Sequence, residues 1–259
     1  MLMLQEEELA PVPITPQEEK ELRRVFEMLC DYKRKLVIKD QIREIQANSY
    51  MAKIQAQMDS RVTPNYKELE TAEAEALRQI EKLNQDYQDL ENNPEKKISC
   101  NDVYQMLKRL KVKIHKREVQ EMIWEVDDDL DGCIDWPEFR LMFTRNVMDK
   151  CGLEPSKMFN LTQFLIYDHN NNGRVSVDET MNMLYARFGK DKMEKKLKEL
   201  FGENMHETGR EGGEISYQEF IRAVEKVQVQ TFWNTTQGGI VKAHSKKDLN
   251  TMQMTLSST

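Results

Sequence analysis

From about residue 91 to residue 227 the chain repeats one pattern four times: an amphipathic helical stretch, a short polar loop and a second such stretch. Tyr87 and Leu90, Ile123 and Val126, Phe164 and Tyr167, and Leu200 and Phe201 are the apolar positions leading into the loops. Met106 and Leu107, Phe139 and Met142, Met181 and Leu184, and Phe220 and Val224 follow them. Upstream, a helix is expected from Thr15, which can cap, with Pro16 in the first helical position and Glu18 completing a capping box. A second helical stretch is expected over about Ile42–Met58, after a basic break near Cys30–Lys39 that holds no acidic ligand set. Phe26 and Leu29 before Asp31 hint at one more loop unit within residues 15–60, but no ligands follow.

Thr63-Pro64 repeats the start signal. The helix after it carries Ala76, Ile80, Leu83, Tyr87 and Leu90 at alternating spacings of four and three, a heptad seam over two repeats. Carried backwards, the seam uses Leu69 and then meets Glu73. Two readings stand: a long helix docked on its own domain, or a coiled coil with a partner.

Glycine (10) and proline (7) are scarce in 259 residues, which argues against a sandwich or barrel. A charged fraction of 32 % and a mean hydropathy of −0.73 suit helices with one solvated face. The expected fold is all-α: two pairs of helix–loop–helix units preceded by long amphipathic helices. The expected segments are a leader at 1–14, a helical region at 15–62, a first pair at 63–150, a second pair at 151–227 and a polar tail at 228–259. The tail holds Gly238-Gly239, with Phe232 and Trp233 as candidate partner contacts.

A formal net charge of −7 without a dominant basic patch does not suggest nucleic-acid binding. No run of about 18 apolar residues predicts a membrane span. The acidic start, Gln5-Glu6-Glu7-Glu8, lacks the features of a secretory signal, and Cys30, Cys100, Cys133 and Cys151 form no CxxC. Together these predict a cytoplasmic chain with reduced thiols. Without a secretory signal, Asn234-Thr235-Thr236 reads as a chance glycosylation match. No glycine-rich phosphate loop is present, and His115, His169, His206 and His244 are scattered, so an enzyme is not expected.

The candidate chemistry lies in two loops. Calcium is a hard cation that takes six to eight oxygens, and a twelve-residue loop supplies them from positions 1, 3, 5, 7, 9 and 12 with glycine at 6. In residues 127–138, Asp127, Asp129 and Asp131 stand at positions 1, 3 and 5, and Gly132 at position 6 permits the turn. Cys133 offers its backbone carbonyl, Asp135 binds directly or through water, and Glu138 supplies both carboxylate oxygens. In residues 168–179 the ligand set is Asp168, Asn170, Asn172, the Arg174 carbonyl, Ser176 and Glu179. Magnesium is an alternative occupant of the acidic first loop at rest. His169, at position 2, should point away from the ion. Cys133 raises a redox reading, in which oxidation distorts its carbonyl, beside the plainer reading of a spectator thiol.

Each good loop should pair through its position 8 with a degenerate one. Glu91–Asp102 places Ile98 at position 8 but has Lys96 where glycine belongs and Lys97 beside it. Ile215 and Glu219 sit at positions 8 and 12 of a loop starting near Thr208, where Arg210 replaces a ligand. Neither should hold calcium.

With both loops quoted, residues 85–227 resemble the calmodulin and centrin superfamily of EF-hand proteins. Two ligand-poor hands and a long helical region ahead of them depart from calmodulin itself. The layout is similar in general character to extended EF-hand proteins of cilia and flagella, such as the calcium-binding subunit of the outer-arm dynein docking complex. The resemblance implies a helical or coiled-coil protein partner and a setting in the cytoskeleton, with an axoneme as one such setting. It also implies a choice between a calcium-responsive regulator and a scaffold that calcium only stabilises. Met106, Met122, Met142, Met148, Met158, Met181 and Met183 would form an adaptable groove in the first case and plain core in the second.

Overall fold

The computed structural model describes residues 14–58, 66–149, 153–202 and 213–227. The rest of the leader, the Thr63-Pro64 signal, Cys151, Thr208, Arg210 and the tail with Phe232 and Trp233 lie outside the described residues. The elements run α1 (Pro16–Leu29), α2 (Tyr32–Met58), α3 (Tyr66–Glu91), β1 (Ile98–Ser99), α4 (Cys100–Arg109), α5 (Lys116–Trp124), β2 (Cys133–Ile134), α6 (Trp136–Met148), α7 (Lys157–Tyr167), β3 (Arg174–Val175), α8 (Val177–Phe201) and β4 (Ile215–Ser216). A further helix, α9, covers residues 217–227. The fold is all-α, with strands of two residues each.

The start of α1 is the expected capping box. Thr15 Oγ1 accepts from the Glu18 N–H at 3.2 Å, and the Glu18 carboxylate accepts from the Thr15 N–H at 2.9 Å. The basic break does not exist as drawn: only Cys30 and Asp31 separate α1 from α2, so Lys33–Lys39 is helical. Asp31 makes the turn at φ 54°, a left-handed conformation that Asp tolerates better than most residues. Two residues leave no room for a further ion-binding loop.

Helix α3 has a single inward stripe. Leu69, Glu73, Ala76, Ile80, Leu83, Tyr87 and Leu90 are half-buried, and every other position between them is exposed. The stripe faces α2 in an antiparallel hairpin. Lys39 lies 5.0 Å above the Tyr87 ring, and Lys53 Nζ is 2.6 Å from the Glu73 carboxylate. Glu73 thus keeps its heptad place because α2 supplies a cation opposite it.

Contacts divide the chain into two units, Arg23–Arg140 and Met1–Leu22 with Leu141–Thr259. In the first, β1 and β2 pair antiparallel, with Ile98 opposite Ile134 and Ser99 opposite Cys133. Its core holds Val103, Met106, Val119, Met122, Ile123 and Phe139, together with Phe26 and Leu29 of α1. The Phe26 ring meets Trp136 and Phe139 at 5.4 and 5.5 Å. In the second unit β3 and β4 pair, with Val175 opposite Ile215. Phe164 packs edge-on against Tyr217 and Phe220 at 5.2 and 5.6 Å, and Leu161, Leu184 and Leu22 of this unit are also buried. Helix α8 is interrupted at Gly189, whose φ of 70° and ψ of 176° are open to glycine and strained for other residues.

Met106, Met122, Met142 and Met158 are buried core residues, whereas Met148 and Met181 are exposed and Met183 is half-buried. Core packing therefore accounts for four of the seven methionines considered for a groove.

Candidate metal centre

Each of the two acidic loops closes on its own backbone. In residues 127–138 the buried Asp127 carboxylate accepts from the N–H groups of Asp131 and Gly132 at 3.2 and 2.9 Å. Asp129 accepts from the Asp131 N–H at 3.1 Å, and Asp131 from the Cys133 N–H at 2.8 Å. Leu130 and Gly132 both take positive φ, 61° and 82°, and this wraps the chain round a centre. At the far end Glu138, in the first turn of α6, reaches back. One oxygen accepts from Asp128 and Asp129 N–H at 2.8 and 3.2 Å, and the other from Asp135 N–H at 2.9 Å.

Residues 168–179 repeat the arrangement. Asp168 accepts from Asn172 and Gly173 N–H, both at 2.9 Å. Asn170 and Asn172 accept from the N–H groups of Asn172 and Arg174 at 2.8 and 2.7 Å. Asn171 and Gly173 carry the left-handed turns, at 57° and 80°. Glu179 accepts from Ser176 N–H and Oγ, both at 2.9 Å. His169 has its Nδ1 3.7 Å from the Glu21 carboxylate.

Ligand atoms of Asp127, Asp129 and Asp131 lie within 4.8 Å of one another. Three carboxylates this close repel, and a hard divalent cation relieves that repulsion while matching their chemistry. The donor set fits calcium. The second loop offers the same wrap with fewer charged ligands, since Asp168 and Glu179 are the two carboxylates at ligand positions beside the amide oxygens of Asn170 and Asn172.

The neighbouring loop of the first pair is built differently. No residue between Asn92 and Lys97 takes positive φ, so the Glu91–Asp102 segment lacks the wrap. Pro94 and Lys96, at positions 4 and 6, replace residue types that would allow it. Its position-12 carboxylate has another use. Asp102 is buried and accepts from Ser99 N–H at 3.0 Å and, with its other oxygen, from the Lys33 N–H at 2.8 Å. It therefore caps the first turn of α2 as well as α4.

Two side chains cross between paired loops. The Lys97 ammonium forms an ion pair with Asp131, and it holds that carboxyl below the usual carboxylate range. In the other pair Arg174 reaches Glu214, with Nε 3.2 Å from its carboxylate and a terminal nitrogen 3.1 Å from its carbonyl. Burial, above all, pushes the Cys133 thiol up, so the thiolate needed for oxidation is disfavoured there.

Comparison with known proteins agrees with this geometry. Residues 96–146 match the family described as an EF-hand domain pair. Residues 96–146 are thus an EF-hand pair. The chain is 28 % identical over 130 residues to the probable calcium-binding protein CML13 of Oryza sativa subsp. japonica, covering 50 % of this chain and 72 % of that one. It is 23 % identical over 124 residues to troponin C of Todarodes pacificus, covering 48 % and 78 %. It is 25 % identical over 147 residues to the putative calmodulin-like protein 6 of Oryza sativa subsp. japonica, covering 57 % and 79 %. The EF-hand pair and these calcium-binding relatives indicate Ca2+ as the cofactor. Among the described residues no helix is long and apolar enough to cross a membrane.

Sequence reasoning reached the loops, their pairing and the position-8 contacts. It missed what Asp102 and Lys97 do. A lysine beside the pairing residue of a ligand-poor loop was the available signal for Lys97.

Proposed function

We propose that this EF-hand protein is a calcium-responsive regulator or adaptor of a protein assembly, acting through two ions rather than through catalysis. The ligands would be Asp127, Asp129, Asp131, the Cys133 carbonyl, Asp135 and Glu138 at one site. At the other they would be Asp168, Asn170, Asn172, the Arg174 carbonyl, Ser176 and Glu179. The convergence of Asp127, Asp129 and Asp131 carries the reading. Glu138 and Glu179 stand in the first turns of α6 and α8, so a change at either loop passes directly into a helix. Relatives named as troponin C and calmodulin-like protein support a regulator that engages protein targets.

The second reading is a scaffold that calcium only stabilises. The α2–α3 hairpin favours it, as do the four buried methionines. The setting we propose for either is the cytoplasm, within a cytoskeletal assembly of the ciliary or flagellar kind and with a helical partner. The long helices ahead of the hands support that setting.

The test is pull-down from the native source with calcium and with chelator, beside the Glu138→Gln/Glu179→Gln double variant. A regulator gains or loses its partner with calcium, and the double variant behaves as the chelated protein. Capture unchanged by chelator and by the double variant would sink the regulator and leave the scaffold.

A further inference from the structure

We infer that Lys97, a residue of the ligand-poor first hand, is a built-in counter-ion that competes with the cation for the site at residues 127–138 and sets its affinity. The inference rests on the calcium site proposed above and concerns how that site is regulated.

Three observations carry it. The Lys97 ammonium pairs with Asp131, the position-5 carboxylate of the loop. Lys97 also immediately precedes Ile98, whose pairing with Ile134 fixes the register of the two loops. The ammonium is therefore held beside the site at high effective concentration, unlike a free ion. Finally, the second pair is wired otherwise. The residue in the corresponding place, immediately before Ile215, is Glu214, and it pairs with Arg174 and not with a ligand side chain. The loop with five carboxylate ligands faces a lysine, and the loop with two faces a glutamate.

The physical consequence is a direct exchange. A cation that takes the Asp131 oxygen shared with Lys97 must displace the ammonium, and that lost attraction is subtracted from its binding. Both side chains are part-exposed, 40 % for Lys97 and 34 % for Asp131, so water and salt screen the pair. The empty hand thus serves the working one through charge as well as through the strand contact.

The experiment is calorimetric titration of Ca2+ into the full chain carrying Glu179→Gln, so that the first site alone reports. Adding Lys97→Met should tighten binding about fivefold, the order expected for one screened unit charge at contact distance. The gain should shrink at high salt, and Lys97→Arg should keep the parent affinity. In a Glu138→Gln background, Lys97→Met should leave the second site unchanged. Equal or weaker binding by Lys97→Met at the first site, with unchanged helical circular dichroism, overturns the inference. So does an equal gain at the second site, which would reveal a diffuse charge effect. Failure of the underlying site looks different: the Glu179→Gln chain would then take up no ion at all, and this inference would fall with it.

Discussion

Ile98 and Ile134 stand opposite each other across the β1–β2 ladder, and neither side chain is exposed to solvent. One belongs to the ligand-poor loop and the other to position 8 of the acidic loop. Their contact holds the acidic loop in register without contributing an oxygen. Replacing Ile134 with Ala removes buried methyl groups and leaves a cavity at the ladder, at a cost of about 2–4 kcal/mol. Urea unfolding should show that loss. Calcium affinity at the first site should fall as well, because the loop loses its strut.

Asp102 predicts a second loss at a residue outside the two working loops. It caps two helices from a buried position. Asp102→Ala should destabilise the chain by about 2 kcal/mol, the upper end for a helix cap, because two part-buried N–H groups lose their acceptor. Asp102→Asn, which keeps one carbonyl oxygen, should recover part of this in the same unfolding assay. Calcium stoichiometry should remain unchanged, since the Glu91–Asp102 loop is not a predicted site.

Glu18 and Arg187 form a largely buried ion pair, with the guanidinium 2.6 Å from a carboxylate that is only 8 % exposed. Removing one partner strands the other charge. Arg187→Met should therefore cost about 3 kcal/mol, and Glu18→Gln a similar amount. The double variant should cost less than the two single losses together, and a double-mutant cycle by thermal unfolding measures that difference.

Cys30 gives a pH prediction. Burial pushes its thiol from the ordinary 9.0 up to about 12. The unfolded chain then releases this proton before the folded one does. The contribution of this group to stability is complete below about pH 9 and falls by at most about 1.4 kcal/mol per pH unit up to about 12. Unfolding midpoints measured across that range should drop more steeply for the natural chain than for Cys30→Ala. At pH 8, peptide mapping after brief alkylation should find Cys100 and Cys133 modified before Cys30, whose thiol is buried.

Much of this was written locally. The periodicity of α3 through α7 follows from apolar spacing, which a helix converts directly into a buried face. The two acidic loops are legible because a hard cation demands oxygens at defined intervals of one continuous segment. The position-8 contacts follow from the loop numbering, and the β1–β2 and β3–β4 registers agree with them. The turn at Asp31 escaped because it rests on one residue entering a sparsely populated conformation, without the usual glycine or proline. The break at Gly189 escaped because it lies inside a stretch whose side chains otherwise favour helix.

The sequence by itself determined the all-α class and the two loops able to hold calcium, because each depends on neighbours a few residues apart. Tertiary structure alone decided that α2 covers the heptad stripe of α3, that Asp102 serves as a helix cap, and that Lys97 lies on Asp131. Those partners are 20 to 69 residues distant in the chain, and only packing brings them together.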